Sequence, residues 1–290
     1  MYIKNREEKM RWKGRRQSTN VEDRRGVTPK RIVGGGCGTI VIILIIWMLG
    51  GNPLEFLNNM QVGEQSSVSN YVGSEAENEM AQFVSVVLGD TEDVWNLLFR
   101  QAGKYYRQPK LVLYNDAVQS ACGLSSAATG PFYCPEDEKV YIDLGFLQEM
   151  QRRFQASGDF AVAYVIAHEV GHHVQNLLGI TDQVMAYRGR VSQREFNQLM
   201  VRLELQADFL AGVWAHHAER INKILEEGDV EEAMNAASAV GDDRIQKRTQ
   251  GYVVPDAFTH GTSEQRTKWF YKGFMTGDMN QGDTFSARDL

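Results

Sequence analysis

Apolar residues return at helical spacing through residues 74–90 (SEAENEMAQFVSVVLGD) and 91–103 (TEDVWNLLFRQAG), each stretch opened by a Ser or Thr that can cap a helix. The pattern then becomes β-like in KLVLYND (110–116) and KVYIDL (139–144), with FYC (132–134) facing the latter across PEDE. A small antiparallel sheet is expected there. Helical spacing resumes in FAVAYVIAHEVGHHVQNLL (160–178), which Asp159 can cap and Gly179 can end. A Ser192/Glu195 capping box predicts a long helix through Arg220, and DVEEAMNAASAV predicts another. Many helices with a few early strands predict an α+β domain over 74–290.

The stretch 160–178 is apolar on more than one face, yet its middle carries His168, Glu169 and His172 in the pattern H-E-x-x-H. Histidines four apart share a helix face, so both imidazoles can reach one metal ion while Glu169 points at the water that the ion holds. Polar side chains buried without partners are expensive, and a metal is the simplest partner. Downstream, LELQADFLAGVW (203–214) sets Glu204 and Asp208 four apart among apolar residues. A catalytic zinc takes three protein ligands and leaves a fourth position for water. Glu204 is the better third ligand and Asp208 the better acceptor for the free N–H of a ligand histidine, with the reverse assignment left open. Glu169 fits a general base, and His260, in the turn-like PDAFTHGTSEQR, is the candidate donor to the oxyanion, with Tyr252 a weaker alternative. His173 points about 100° away from His172 and is not expected on the same ion.

Charge and hydropathy add an anchor to this picture. The 290 residues carry a net charge of −6, but residues 1–31 hold eleven Lys/Arg against four Asp/Glu, so +7 lies there and −13 in the remainder. The acidic remainder excludes a nucleic-acid role. Ile32–Leu49 is an uncharged apolar run of 18 residues, just long enough to span a bilayer. The positive-inside rule then predicts a basic cytoplasmic arm (1–31), a single transmembrane helix (32–49), a linker (50–73) and an extracytoplasmic domain (74–290). Cys37 falls in the apolar run, whereas Cys122 and Cys134 fall on the exported side, where a disulfide persists. Closing that short loop is worth about 2–3 kcal/mol on the chain-entropy model.

The motifs HEVGHHVQ and ELQAD resemble the gluzincin arrangement of H-E-x-x-H followed by E-x-x-x-D. With MRWKGRRQS, GPFYCP, VYIDL, VGDDRIQ and FTHGTSEQR, the chain resembles the bacterial membrane-anchored neutral zinc metallopeptidases over nearly its whole length. The resemblance implies one zinc per chain, a peptide or protein substrate, an inner-membrane location and a sheet edge beside the metal helix on which a peptide can add as a strand. It also implies a start at Met10, with residues 1–9 an upstream extension. This sequence departs from the family's pattern at Phe209 and near Gly282, where members often carry cysteines, which implies a missing disulfide. The expected function is a membrane-anchored zinc endopeptidase. The competing one is a membrane-tethered binding or scaffold protein whose zinc is structural and closed by Asp208.

Overall fold

The computed structural model describes residues 10–27, 71–126, 130–153 and 158–290. The expected transmembrane run and nearly all of the expected linker lie outside them. Among the described residues no helix is long and apolar enough to cross a membrane. Residues 10–25 and 72–290 belong to one compact unit, and 26–71 are divided from it as a second.

In chain order the main unit contains β1 (Val21–Asp23), α1 (Glu75–Gln101), β2 (Lys110–Tyr114), β3 (Ala117–Ser120), β4 (Gly123–Ser126), β5 (Phe132–Cys134) and β6 (Lys139–Asp143). Helices follow: α2 (Leu144–Arg153), α3 (Asp159–Leu177), α4 (Ile180–Met185), α5 (Gln193–Asn222), α6 (Asp229–Ala239), α7 (Asp242–Gln250) and α8 (Ser263–Thr276). This is the expected helix-rich α+β class. The capping boxes at Ser74, Ser192 and Thr262 are formed.

Four expectations are corrected. The stretch 74–103 is one helix, because Thr91 is fully buried and turns its hydroxyl back onto the carbonyl of Leu88 instead of capping a new helix. Gly158, not Asp159, is the cap residue of α3. The main sheet is mixed rather than antiparallel: in the order β1-β2-β6-β5, β2 runs parallel to both β1 and β6, and only β5 is antiparallel. The purely antiparallel pair is a separate hairpin, β3-β4. Finally, residues 10–25 are not an arm apart. Met10 and Trp12 are buried, Trp12 meets Phe83 edge-on at 5.5 Å, and β1 supplies an edge strand of the sheet.

Glycines set how closely the helices meet. A Cβ on Gly212 of α5 would stand 2.0 Å from the carbonyl oxygen of Phe270 on α8, and one on Gly273 of α8 would stand 2.0 Å from that of Phe209 on α5. Gly171 of α3 faces Ala207 of α5, where a Cβ would lie 3.0 Å from the backbone oxygen. Only glycine permits such backbone contact. A Cβ on Gly282 would lie 2.5 Å from the Phe209 ring, so these two positions are neighbours. Around these crossings Trp95, Phe160, Tyr164, Phe209, Trp214 and Phe270 are fully buried.

Candidate metal centre

The crossing of α3 and α5 at Gly171 and Ala207 brings the two sequence motifs together. His168 and Glu169 are buried and His172 nearly so. The Nε2 atoms of His168 and His172 lie 3.3 and 3.5 Å from the carboxylate oxygens of Glu204. One ligand atom from each of the three residues falls within 4.8 Å of the others. Ligands at 2.0–2.1 Å around a tetrahedral zinc stand about 3.4 Å apart, so this donor set has the size and chemistry that zinc takes. A cavity of about 560 Å³ opens over it, lined by His168, Glu169, His172, Glu204 and His260 together with apolar residues. The Glu169 carboxylate has no hydrogen-bond partner among the described residues.

Each histidine is oriented from behind. His168 Nδ1 donates to Asp208 Oδ1 at 2.8 Å, and His172 Nδ1 lies 2.9 Å from Gln175 Oε1. That leaves both Nε2 atoms to face the ion. Asp208 is itself completely enclosed: Tyr164 donates to Oδ1, and Arg266 donates through Nη2 to Oδ1 (2.9 Å) and through Nε to Oδ2 (2.8 Å). Both oxygens are thus engaged by His168, Tyr164 and Arg266, and the three-residue donor group does not include Asp208.

Charges follow this geometry. Burial pushes Asp208 up, but Arg266 and His168 prevail and hold it at about 2. Burial likewise pushes Glu204 up, yet His172 and His168 keep it well below the usual carboxylate range. Burial lowers His168, and Asp208 and Glu204 more than reverse this, to about 10 in the metal-free centre. Metal binding must displace that proton.

His260 stands at the mouth of the same cavity, about half exposed. The carboxylate of Asp242 accepts the backbone N–H groups of Thr259, His260 and Gly261 and faces His260 Nδ1 at 3.3 Å. This bond raises the imidazole's pKa and leaves Nε2 for the cavity. Tyr252 is exposed and does not line the cavity. His173 turns away as expected, into full burial: its Nε2 donates to the carbonyl of Arg107 (2.6 Å) and its Nδ1 accepts from Tyr133 of β5 (2.9 Å). His216 and His217 donate to the carbonyls of Phe274 and Gly277 at the end of α8. Cys122 and Cys134 are disulfide-bonded, joining the β3-β4 turn to the end of β5.

Sequence reasoning missed Arg266, Asp242, Tyr164 and Gln175. One signal was present: in α8 the buried positions Ser263, Arg266, Trp269, Phe270 and Gly273 form one stripe, and an arginine on an apolar stripe needs a buried anion. Asp242 offered none, because its ligands are backbone amides.

Fold and centre together define an α+β domain with a candidate metal site of the H-E-x-x-H type. The chain belongs to the family described as "putative neutral zinc metallopeptidase", whose model matches residues 10–285. It is 48% identical over 286 residues to the uncharacterized protein YpfJ of Escherichia coli (strain K12), covering 95% of this chain and 99% of that one. It is 41% identical over 254 residues to the uncharacterized protein Rv2575 of Mycobacterium tuberculosis (strain H37Rv), covering 84% and 83%. No solved structure matches it.

Proposed function

We propose that this protein is a membrane-attached zinc endopeptidase. The observation that carries the reading is the convergence of His168, His172 and Glu204 with an unpartnered Glu169 in one cavity. When bound, zinc supplies Lewis-acid polarisation of a carbonyl and acidifies water to near neutrality. Glu169 removes the proton from the attacking water and passes it to the departing amine nitrogen. His260, kept protonated by Asp242, donates from Nε2 to the oxyanion. β5 is the edge strand of the main sheet opposite β1, and Gly130, Pro131, Phe132 and Tyr133 line the cavity. A substrate backbone can therefore pair along β5 and lie across the metal, with its apolar side chains among Phe146, Met150, Met185 and Leu203.

The competing structural-zinc reading needs a fourth protein ligand. Asp208, the carboxylate that reading calls on, is held by Arg266 and Tyr164 instead. The run 32–49 is the membrane attachment in this reading, and the Cys122–Cys134 disulfide favours an oxidising, extracytoplasmic compartment for the domain.

The test uses the full chain, because residues 10–25 belong to the fold. Zinc-loaded protein and its Glu169→Gln variant are incubated with a diverse peptide mixture, and new termini are read by mass spectrometry. Cleavage by the parent alone is expected. Equal cleavage by both would remove Glu169 from its role, and no cleavage by zinc-loaded parent would reject the peptidase.

A further inference from the structure

The basic segment read from the sequence as a cytoplasmic arm is built into the metal domain by three kinds of contact. The first is backbone pairing: β1 pairs in parallel with β2 from Val21↔Leu111 to Asp23↔Leu113, and the ladder continues where Arg24 N–H donates to Leu113 at 2.8 Å. The Ser18 N–H donates to the carbonyl of Ser85 (2.9 Å) and the Arg11 N–H to that of Ile224 (3.0 Å). The second is burial: Met10 and Trp12 are 2% and 7% exposed, within the same core as α1 and α3.

The third is charge. Four of the six Lys and Arg of residues 10–25 pair with acids of the domain, Arg11 with Glu226, Lys13 with Glu79, Arg15 with Asp90 and Arg16 with Glu92 and Asp93, while Arg24 and Arg25 pair within the segment, with Glu22 and Asp23. Glu92, 2% exposed, also accepts from Ser18 and Asn20, so its buried charge is compensated by this segment. The uneven charge of the sequence, +7 at one end and −13 beyond it, is thus partly the complementarity of two surfaces that meet in the fold. The positive-inside rule counts basic residues flanking a span as free cations. Here those of 10–25 are consumed by ion pairs, leaving Lys30 and Arg31 as the basic residues abutting the run.

We propose that residues 10–25 and the metal domain occupy the same side of the membrane, so that the run 32–49 does not cross it once. A strand cannot pair with its neighbour through a bilayer. A chain that leaves at Arg25 and rejoins the same fold at Val72 crosses an even number of times. Residues 50–70 contain no second uncharged run of bilayer length, being interrupted by Glu55 and Glu64 and rich in Asn and Ser. With only one such run between residues 25 and 72, a single crossing is excluded. This rests on the membrane attachment proposed above and is independent of catalysis.

The experiment labels the full chain in spheroplasts with a membrane-impermeant maleimide, in a Cys37→Ser background. Gln17→Cys and Thr19→Cys report the segment, and Gln101→Cys reports the domain; all three positions are exposed. The segment and domain cysteines are expected to be labelled together, both before lysis if the face is extracytoplasmic. Labelling of Gln101→Cys before lysis and of both segment cysteines only after it would overturn the proposal. Zinc content of each variant, measured on the purified protein, reports that it is folded. Peptidase assays do not enter, so an inactive protein leaves this result intact.

Discussion

The enclosure of Asp208 makes a quantitative expectation about Arg266. The guanidinium is 3% exposed and the carboxylate fully buried, and they share two hydrogen bonds of 2.8 and 2.9 Å. Arg266→Met leaves Asp208 charged, dry and supported only by His168 and Tyr164. Breaking one side of such a pair costs about 3–5 kcal/mol. Asp208→Asn strands the arginine instead and costs a similar amount, whereas Arg266→Met combined with Asp208→Asn removes both charges. The double variant should therefore be more stable than the sum of the single costs allows, with a coupling of about 2–3 kcal/mol. The assay is urea denaturation of chelator-treated full chain, so that metal affinity does not enter. Zinc competition against a chelator then gives the second readout, where Asp208→Asn should lose about 10–100-fold because His168 loses its anionic anchor. Additive single-variant costs would refute the buried pair. Zinc loss as complete as in His168→Ala would return Asp208 to the ligand set.

Three further outcomes follow from the same geometry. Gly212→Ala places a methyl 2.0 Å from a backbone oxygen that cannot turn aside, so it should cost about 2–3 kcal/mol despite alanine's better helix propensity, and more than Gly171→Ala, where the gap is 3.0 Å. Equal denaturation midpoints for the two would contradict this close crossing. Asp90 is buried, and burial, opposed by Arg15, raises its pKa from 3.8 to about 7. Its folded state keeps the proton longer, so stability falls as pH rises from about 4 to 7, and Asp90→Asn should flatten that slope in pH-dependent denaturation; an unchanged slope would assign it elsewhere. Asp242→Asn removes the hydrogen bond that raises His260, so the alkaline limit of kcat should move to lower pH with zinc content unchanged; an unmoved limb would separate His260 from turnover.

The candidate metal site was legible because its spacing is local: i, i+4 on one helix fixes His168 and His172, and the same rule sets Glu204 beside Asp208. What the two carboxylates do was not legible, since the difference between them is Arg266, 58 residues away on α8. Strand β1 escaped notice because three residues, VED, in a basic stretch show no β periodicity, and their pairing with β2 spans ninety positions of sequence. The parallel β2–β6 pairing escaped for a related reason. Within the main sheet only β5 and β6, joined by a short turn, are local partners, and that antiparallel pair is as expected. Thr91 misled because Thr before an acidic residue reads as a cap, while tertiary burial decided the matter.

Residues outside the candidate metal site hold β5, the edge proposed for substrate, in register with α3. β5 is fixed on one side by its ladder to β6 and at its end by the disulfide of Cys134 to Cys122. In its middle the Tyr133 hydroxyl meets His173 Nδ1 on α3, one residue beyond ligand His172, and Asn176 donates to the same oxygen at 3.1 Å. His173 Nε2 reaches the carbonyl of Arg107 ahead of β2, so one imidazole ties the metal helix to two parts of the sheet. Its burial lowers its pKa, which keeps the ring neutral and able both to donate and to accept. A misplacement of 1 Å between reacting groups can cost 100-fold in rate. The third histidine of the motif thus does for the sheet edge what Asp208 does for His168: it sets position without touching the ion.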